Sequence, residues 1–207
     1  MLTRPHAHLA PSPARVRISR SRQDARHVGP GPVSPRMRQW LSAPGSLTAR
    51  LRLHGPVRVE VLAQGRHRLW PQERRALGCR VGHVREVVLH IDERAAVWAR
   101  SSVPVRAVKG PWQAIRGLGT RPLAELLFSH RAVCRGPLQT LRLRAHAPAG
   151  AHMARQWAAL NKGQPPASQP SPPPRWARHS LFHHHGQPLQ VLEAFAPWVS
   201  SRSCQHR

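Results

Sequence analysis

Tyrosine is absent from the 207-residue chain, phenylalanine occurs three times and acidic residues number only eight. With few aromatic faces for bases to stack on, and with arginines scattered instead of gathered in one tract, nucleic acid is not expected as a specific partner. The three cysteines, Cys79, Cys134 and Cys204, are an odd number without a C-x-x-C pair. That pattern argues against a disulfide framework or a zinc site and reads as cytosolic thiols. No segment approaches the roughly eighteen apolar residues of a spanning helix. The basic N-terminus, MLTRPHAHLAPSPARVRISRSR, lacks an apolar h-region. Neither secretion nor membrane insertion is expected, and the expected location is cytoplasmic.

What the chain has in excess is arginine. Lys109 and Lys162 are its only lysines among 33 basic residues, and the formal net charge is +25. A field of that sign attracts small acids and polyanions alike, although much of it reads as arginine standing for lysine on a solvated surface. The length suits one domain, and 40% hydrophobic content, diluted by 22 prolines and 14 glycines, allows a modest core.

Residues 1–35 are rich in Arg, Pro, Ser and His and read as a flexible basic arm, too short for a DNA-reading domain. From residue 36 a folded domain is expected. MRQWL suggests a short helix, and Ser46 caps a second one beginning at Leu47. Residues 56–62 alternate apolar and charged as a half-buried strand. Residues 84–91 and 95–103 form a hairpin around Asp92-Glu93-Arg94, closed by Pro104. A short helix over 112–118 stops at Gly119. Thr120-Arg121-Pro122-Leu123 then starts another, with a hydroxyl cap and proline in its first turn. Residues 139–144 suggest a strand. Residues 145–174 read as a Pro-rich loop insertion, with one possible helix over 153–160. A last hairpin runs from Arg178 to Ala196 about a Gly186-Gln187 turn. The expected fold is α+β, one antiparallel sheet with helices packed against it.

Two charges fall on apolar faces. Alternation places Arg85 with Val87, Leu89 and Ile91, and Glu193 with Leu189, Val191 and Phe195. An unpaired buried charge costs several kcal/mol, roughly, and needs a partner. Arg85 and Glu193 therefore either neutralise each other as a buried ion pair or stand at two ends of a pocket. In the pocket a guanidinium suits a carboxylate ligand and a carboxyl group suits a hydroxyl or a proton. The amides of Leu47 and Leu123, first in their helices, are further donors without intrahelical partners, although ordinary capping is the favoured account of them.

The strings HVREVVLHIDERAAVWARSSVPV, LGTRPLAELLF and GQPLQVLEAFAP, in that order and spacing, resemble the chorismate pyruvate-lyase family of ubiquinone biosynthesis. The resemblance runs from about Met37 to Val199, interrupted over 145–174. It implies a sheet of about six antiparallel strands, a closed pocket, no metal and no organic cofactor, and a monomer is expected. The implied reaction converts chorismate to 4-hydroxybenzoate and pyruvate. Carried over by position, Arg85 holds the ring carboxylate, Glu193 bonds the ring hydroxyl with a catalytic role, and Leu47 and Leu123 contribute main-chain contacts. Leu47 stands where a familiar member has Met, a tolerable change for a backbone contact.

Other chemistry finds less support. Consecutive strand residues alternate faces, so of His183-His184-His185 only the outer two can share an ion. Ser101-Ser102 and Cys134 lack a readable base. The alternative function is a non-catalytic sensor of small aromatic acids, since effector domains of some bacterial regulators resemble the same fold. The short arm and the joint presence of Arg85 and Glu193 favour the enzyme.

Overall fold

A computed structural model describes residues 33–162, 171–202 and 204. All but the last three residues of the expected arm lie outside the described residues.

Ser34 accepts a hydrogen bond from the amide of Met37 and opens α1 (Pro35–Ser42). Ser46 does the same for Ala49 at the start of α2 (Leu47–Arg52), as its position before an apolar run predicts. The chain then enters β1 (Val57–Arg68), α3 (Pro71–Leu77), β2 (Val81–Ile91) and β3 (Arg94–Pro104). Asp92 and Glu93 make the β2–β3 turn with φ of 48° and 62°, so Arg94 already belongs to the strand. Two short 3₁₀ turns lead to α4 (Leu123–Ser129), followed by β4 (Val133–Arg135), β5 (Gln139–Arg142), α5 (Pro148–Lys162), β6 (Trp176–His184) and β7 (Gln187–Phe195).

The seven strands form one antiparallel sheet in the order β1-β2-β3-β7-β6-β4, with β5 also paired to β6. That is the expected α+β architecture with one strand more than the expected six.

Three local expectations change. Helix α4 has Pro122 as its N-cap and no side-chain cap, so neither the hydroxyl cap nor proline in the first turn holds. The last hairpin turns at His185-Gly186, with φ of 47° and 73°, one residue earlier than Gly186-Gln187. Within 145–174, read as a Pro-rich loop, lies the 15-residue α5, which buries Ala149, Met153 and Trp157. The prolines cluster beyond the helix, and an apolar face at helical spacing outweighs the loop-like composition.

Alternation gives the sheet two different faces. Helix α5 covers the one that carries Trp98 and Arg100, and contributes His152 and Gln156 to a buried polar network. Arg100 donates to both oxygens of Glu73, at 2.7 and 3.0 Å, and also to Glu86. It lies 3.8 Å over the Trp70 ring. Glu86 receives further bonds from His152 and Gln156. Burial pushes the Glu86 carboxyl upward, but the hydrogen bonds from His152 and Arg100 outweigh it and bring its pKa down to about 2. Every charge here has a partner, which is what keeps a buried network from being a liability.

On the opposite face, Trp40, Leu47, Leu51 and Phe195 belong to a large cluster that also takes in Trp98, Met153 and Trp157 on the α5 side, and a second cluster gathers around Trp112, Ile115, Leu126, Leu127 and Phe182. Residues from both clusters wall a cavity over the sheet.

Candidate active site

Strand pairing lays the cavity floor in two adjacent rows. In the first, Arg85 of β2 faces Ser101 of β3, which faces Val191 of β7, which faces Ser180 of β6. In the second, Val87 faces Ala99, which faces Glu193, which faces Arg178. Directly paired residues point to the same side, so both rows present these side chains together. Arg85, Glu193, Leu47 and Leu123 all line the one cavity. Chain segments more than a hundred residues apart thus meet at the places that alternation and capping single out.

Arg85 is 2% exposed. Its Nη2 donates to the carbonyl oxygens of Gly119, at 2.8 Å, and Arg121, at 3.1 Å, tying the loop before α4 to the sheet. Its Nε is buried without a hydrogen-bond partner, and it makes no ion pair among the described residues. Burial lowers its pKa, yet a guanidinium remains charged throughout the physiological range. Among the described residues this buried cation lacks a counter-ion.

Arg85 and Glu193 do not pair with each other. Glu193 instead accepts a hydrogen bond from Nε of Arg178 at 2.6 Å. Arg178 is 1% exposed, and its Nη1 donates to the carbonyls of Trp40, at 3.1 Å, and Ala43, at 2.8 Å. It therefore fixes Glu193 while fastening the segment between α1 and α2 to β6. A third cation, Arg135 of β4, also lines the cavity. It donates from Nε to the Ser180 hydroxyl at 3.1 Å and from Nη1 to the Gly45 carbonyl at 3.2 Å, and lies 5.2 Å from the Phe182 ring. Burial, and then repulsion from Arg178, lower its pKa, and Glu193 offsets part of this.

Sequence reasoning singled out neither Arg178 nor Arg135. Arg178 was legible in principle, because counting outward from a His185-Gly186 turn brings it opposite Glu193. Arg135 sits in a three-residue strand whose composition gives no strand signal.

The ion pair of Arg178 and Glu193 is neutral, so the cavity's uncompensated charges are Arg85 and Arg135, surrounded by apolar side chains such as Val87, Leu89, Leu127 and Val191. Such a lining suits a small organic acid. Among the described residues there is no group of three or more His, Cys, Asp or Glu side chains placed to hold a metal. His184 points its Nδ1 to the Pro111 carbonyl, 2.9 Å away. No helix of the described residues is long and apolar enough to cross a membrane.

Fold and cavity define a single-sheet α+β protein with a cation-walled pocket of small-molecule size. Residues 30–204 match the model of the chorismate lyase family, and the chain belongs to that family, whose activity is that of a lyase. It is 43% identical over 169 residues to the "Probable chorismate pyruvate-lyase" of Albidiferax ferrireducens, covering 78% of this chain and 83% of that one. The protein of the same name from Azoarcus sp. (strain BH72) is 42% identical over 175 residues, 82% of this chain and 88% of its own. Among solved structures, the C-terminal domain of histidine utilization repressor from Pseudomonas syringae pv. tomato aligns over 73% of this chain and 98% of its own, with 8% identity and a TM-score of 0.45.

Proposed function

We propose that the protein is a chorismate pyruvate-lyase, forming 4-hydroxybenzoate and pyruvate as the first step of ubiquinone biosynthesis, in the cytoplasm and as a monomer. The observation that carries this reading is Arg85, a buried cation without a counter-ion, facing a pocket that also holds Glu193. Glu193 lies two strands from the strand of Arg85, about 10 Å at the backbone level by ordinary strand spacing. A ring carboxylate on Arg85 then directs the hydroxyl on the far side of the ring toward Glu193. The amides of Leu47 and Leu123 contribute main-chain donors at the walls.

In this reaction the bond between the ring carbon and the enolpyruvyl oxygen breaks. The hydrogen on the ring carbon bearing the hydroxyl leaves as a proton and the ring becomes aromatic. Enolpyruvate takes up a proton at its methylene carbon and becomes pyruvate. Aromatisation supplies the driving force, so the protein's task is to orient the ring and stabilise charge on the departing oxygen. Glu193, held by Arg178, positions the hydroxyl and is placed to receive the proton from the neighbouring carbon.

The test is to mix purified protein with chorismate, without added metal, and follow both products by chromatography. Equimolar appearance of both, lost in Arg85→Ala, supports the reading. Binding of 4-hydroxybenzoate without turnover of chorismate would instead make the chain a non-catalytic binding protein.

A further inference from the structure

The cavity contains one cation more than a monocarboxylate requires. The charge of Arg178 is compensated by Glu193, and its Nη1 is held by the carbonyls of Trp40 and Ala43. Arg85 and Arg135 make no ion pair among the described residues and stand at opposite sides of the floor. Arg85 is on β2, and Arg135 reaches Ser180 on β6, three strands away in the same row and about 14 Å distant at the backbone level by ordinary strand spacing. Arg85 is buried, where a charge without a counter-ion is costly, and Arg135 is half-buried with its guanidinium over the Phe182 ring.

We propose that Arg135 is the binding group for the second carboxylate of the substrate, the one on the enolpyruvyl side chain. This rests on the lyase reading above and assigns a residue to the part of the substrate that leaves. Chorismate bears its ether on the carbon next to the one with the hydroxyl. With the ring carboxylate on Arg85 and the hydroxyl at Glu193, the enolpyruvyl group projects from the Glu193 end of the ring, the end at which Arg178 and Arg135 stand. Of these two only Arg135 is without an ion-pair partner among the described residues. Its Nε and Nη1 are held by Ser180 and Gly45, and Phe182 lies beside its plane, so the group is oriented before a ligand arrives. A fixed planar donor suits a carboxylate better than a mobile ammonium does.

The consequence is an asymmetry between substrate and product. Chorismate has two carboxylates and engages both cations, whereas 4-hydroxybenzoate has one and engages Arg85 alone. Replacing Arg135 therefore weakens substrate binding and spares product binding, which general damage to the pocket would not do.

The experiment compares wild type, Arg135→Met and Arg135→Lys by steady-state kinetics with chorismate and by titration with 4-hydroxybenzoate. The expected result is a KM for chorismate raised about tenfold or more in Arg135→Met, on the scale of one charge-assisted hydrogen bond. The Kd for 4-hydroxybenzoate should stay within about twofold of wild type on the same scale. Arg135→Lys, which keeps the charge and loses the planar fork, should fall between, and it carries the comparison if Arg135→Met does not fold. Equal weakening of both ligands, or unchanged kinetics with chorismate, overturns the assignment while leaving the lyase reading intact. Failure of the wild-type protein to form 4-hydroxybenzoate and pyruvate overturns the lyase reading, and this assignment with it.

Discussion

Arg178 and Glu193 face each other across the β6–β7 ladder, and Nε of the first donates to Oε2 of the second at 2.6 Å. The pair leaves Arg85 without a carboxylate, and so decides between the two arrangements that the sequence allows for its misplaced charges. A self-contained ion pair of Arg85 with Glu193 would have filled the pocket's polar needs internally. With its partner on β6, Glu193 leaves Arg85 without an ion pair among the described residues.

Replacing Arg85 by Ala should weaken 4-hydroxybenzoate binding on the order of 100-fold, since the bond removed is charge-assisted and shielded from water. Titration of the product by calorimetry or tryptophan fluorescence measures this. An unchanged isotherm would remove Arg85 from the site.

Glu193→Gln separates positioning from proton transfer. In single turnover at saturating chorismate, loss of a general base should slow the chemical step by about 10²–10⁴-fold. A rate close to wild type would leave Glu193 as a binding group only, with the proton passing within the substrate itself.

Stability should fall in acid through Glu86. Its folded pKa, about 2, lies below the ordinary value of 4.5, so the stabilisation is complete above the ordinary value and disappears as pH drops from 4.5 toward 2. The size is on the order of 3 kcal/mol. Urea midpoints taken between pH 5 and 2.5 should decline more steeply for wild type than for Glu86→Gln. Parallel declines would assign the acid sensitivity to other carboxylates.

Trp157→Ala tests α5 as part of the core. The side chain is 1% exposed and its Nε1 donates to the Ser171 carbonyl at 2.9 Å. Truncation should cost about 3–5 kcal/mol, as for other large buried side chains. Thermal unfolding reports it, and the protein that remains folded should keep its affinity for 4-hydroxybenzoate because Trp157 does not line the cavity. A small loss of stability would restore the reading of 145–174 as a dispensable loop.

The strand faces of Arg85 and Glu193, the Ser46 cap and the β2–β3 hairpin were legible because each follows from a period of two or from a side chain bonding three residues along. Helix α5 was only half legible, since the prolines that follow it mask the apolar face of Ala149, Met153 and Trp157. The partner of Glu193 was hidden by a single residue of turn placement. With the turn at Gly186-Gln187, outward counting places Ser180, not Arg178, opposite Glu193, and only the positive φ of His185 corrects it.

The sequence by itself determined the antiparallel α+β class, the family and the residues that carry charge onto apolar faces, because these depend on local alternation and on strings of neighbours. Only the tertiary structure decided which charges meet. Arg178 is claimed by Glu193, while Arg85 and Arg135 are brought from distant strands to one cavity with no carboxylate partner for either among the described residues. Ion pairing is a matter of a few ångströms between side chains far apart along the chain, and that distance is set by strand order and register.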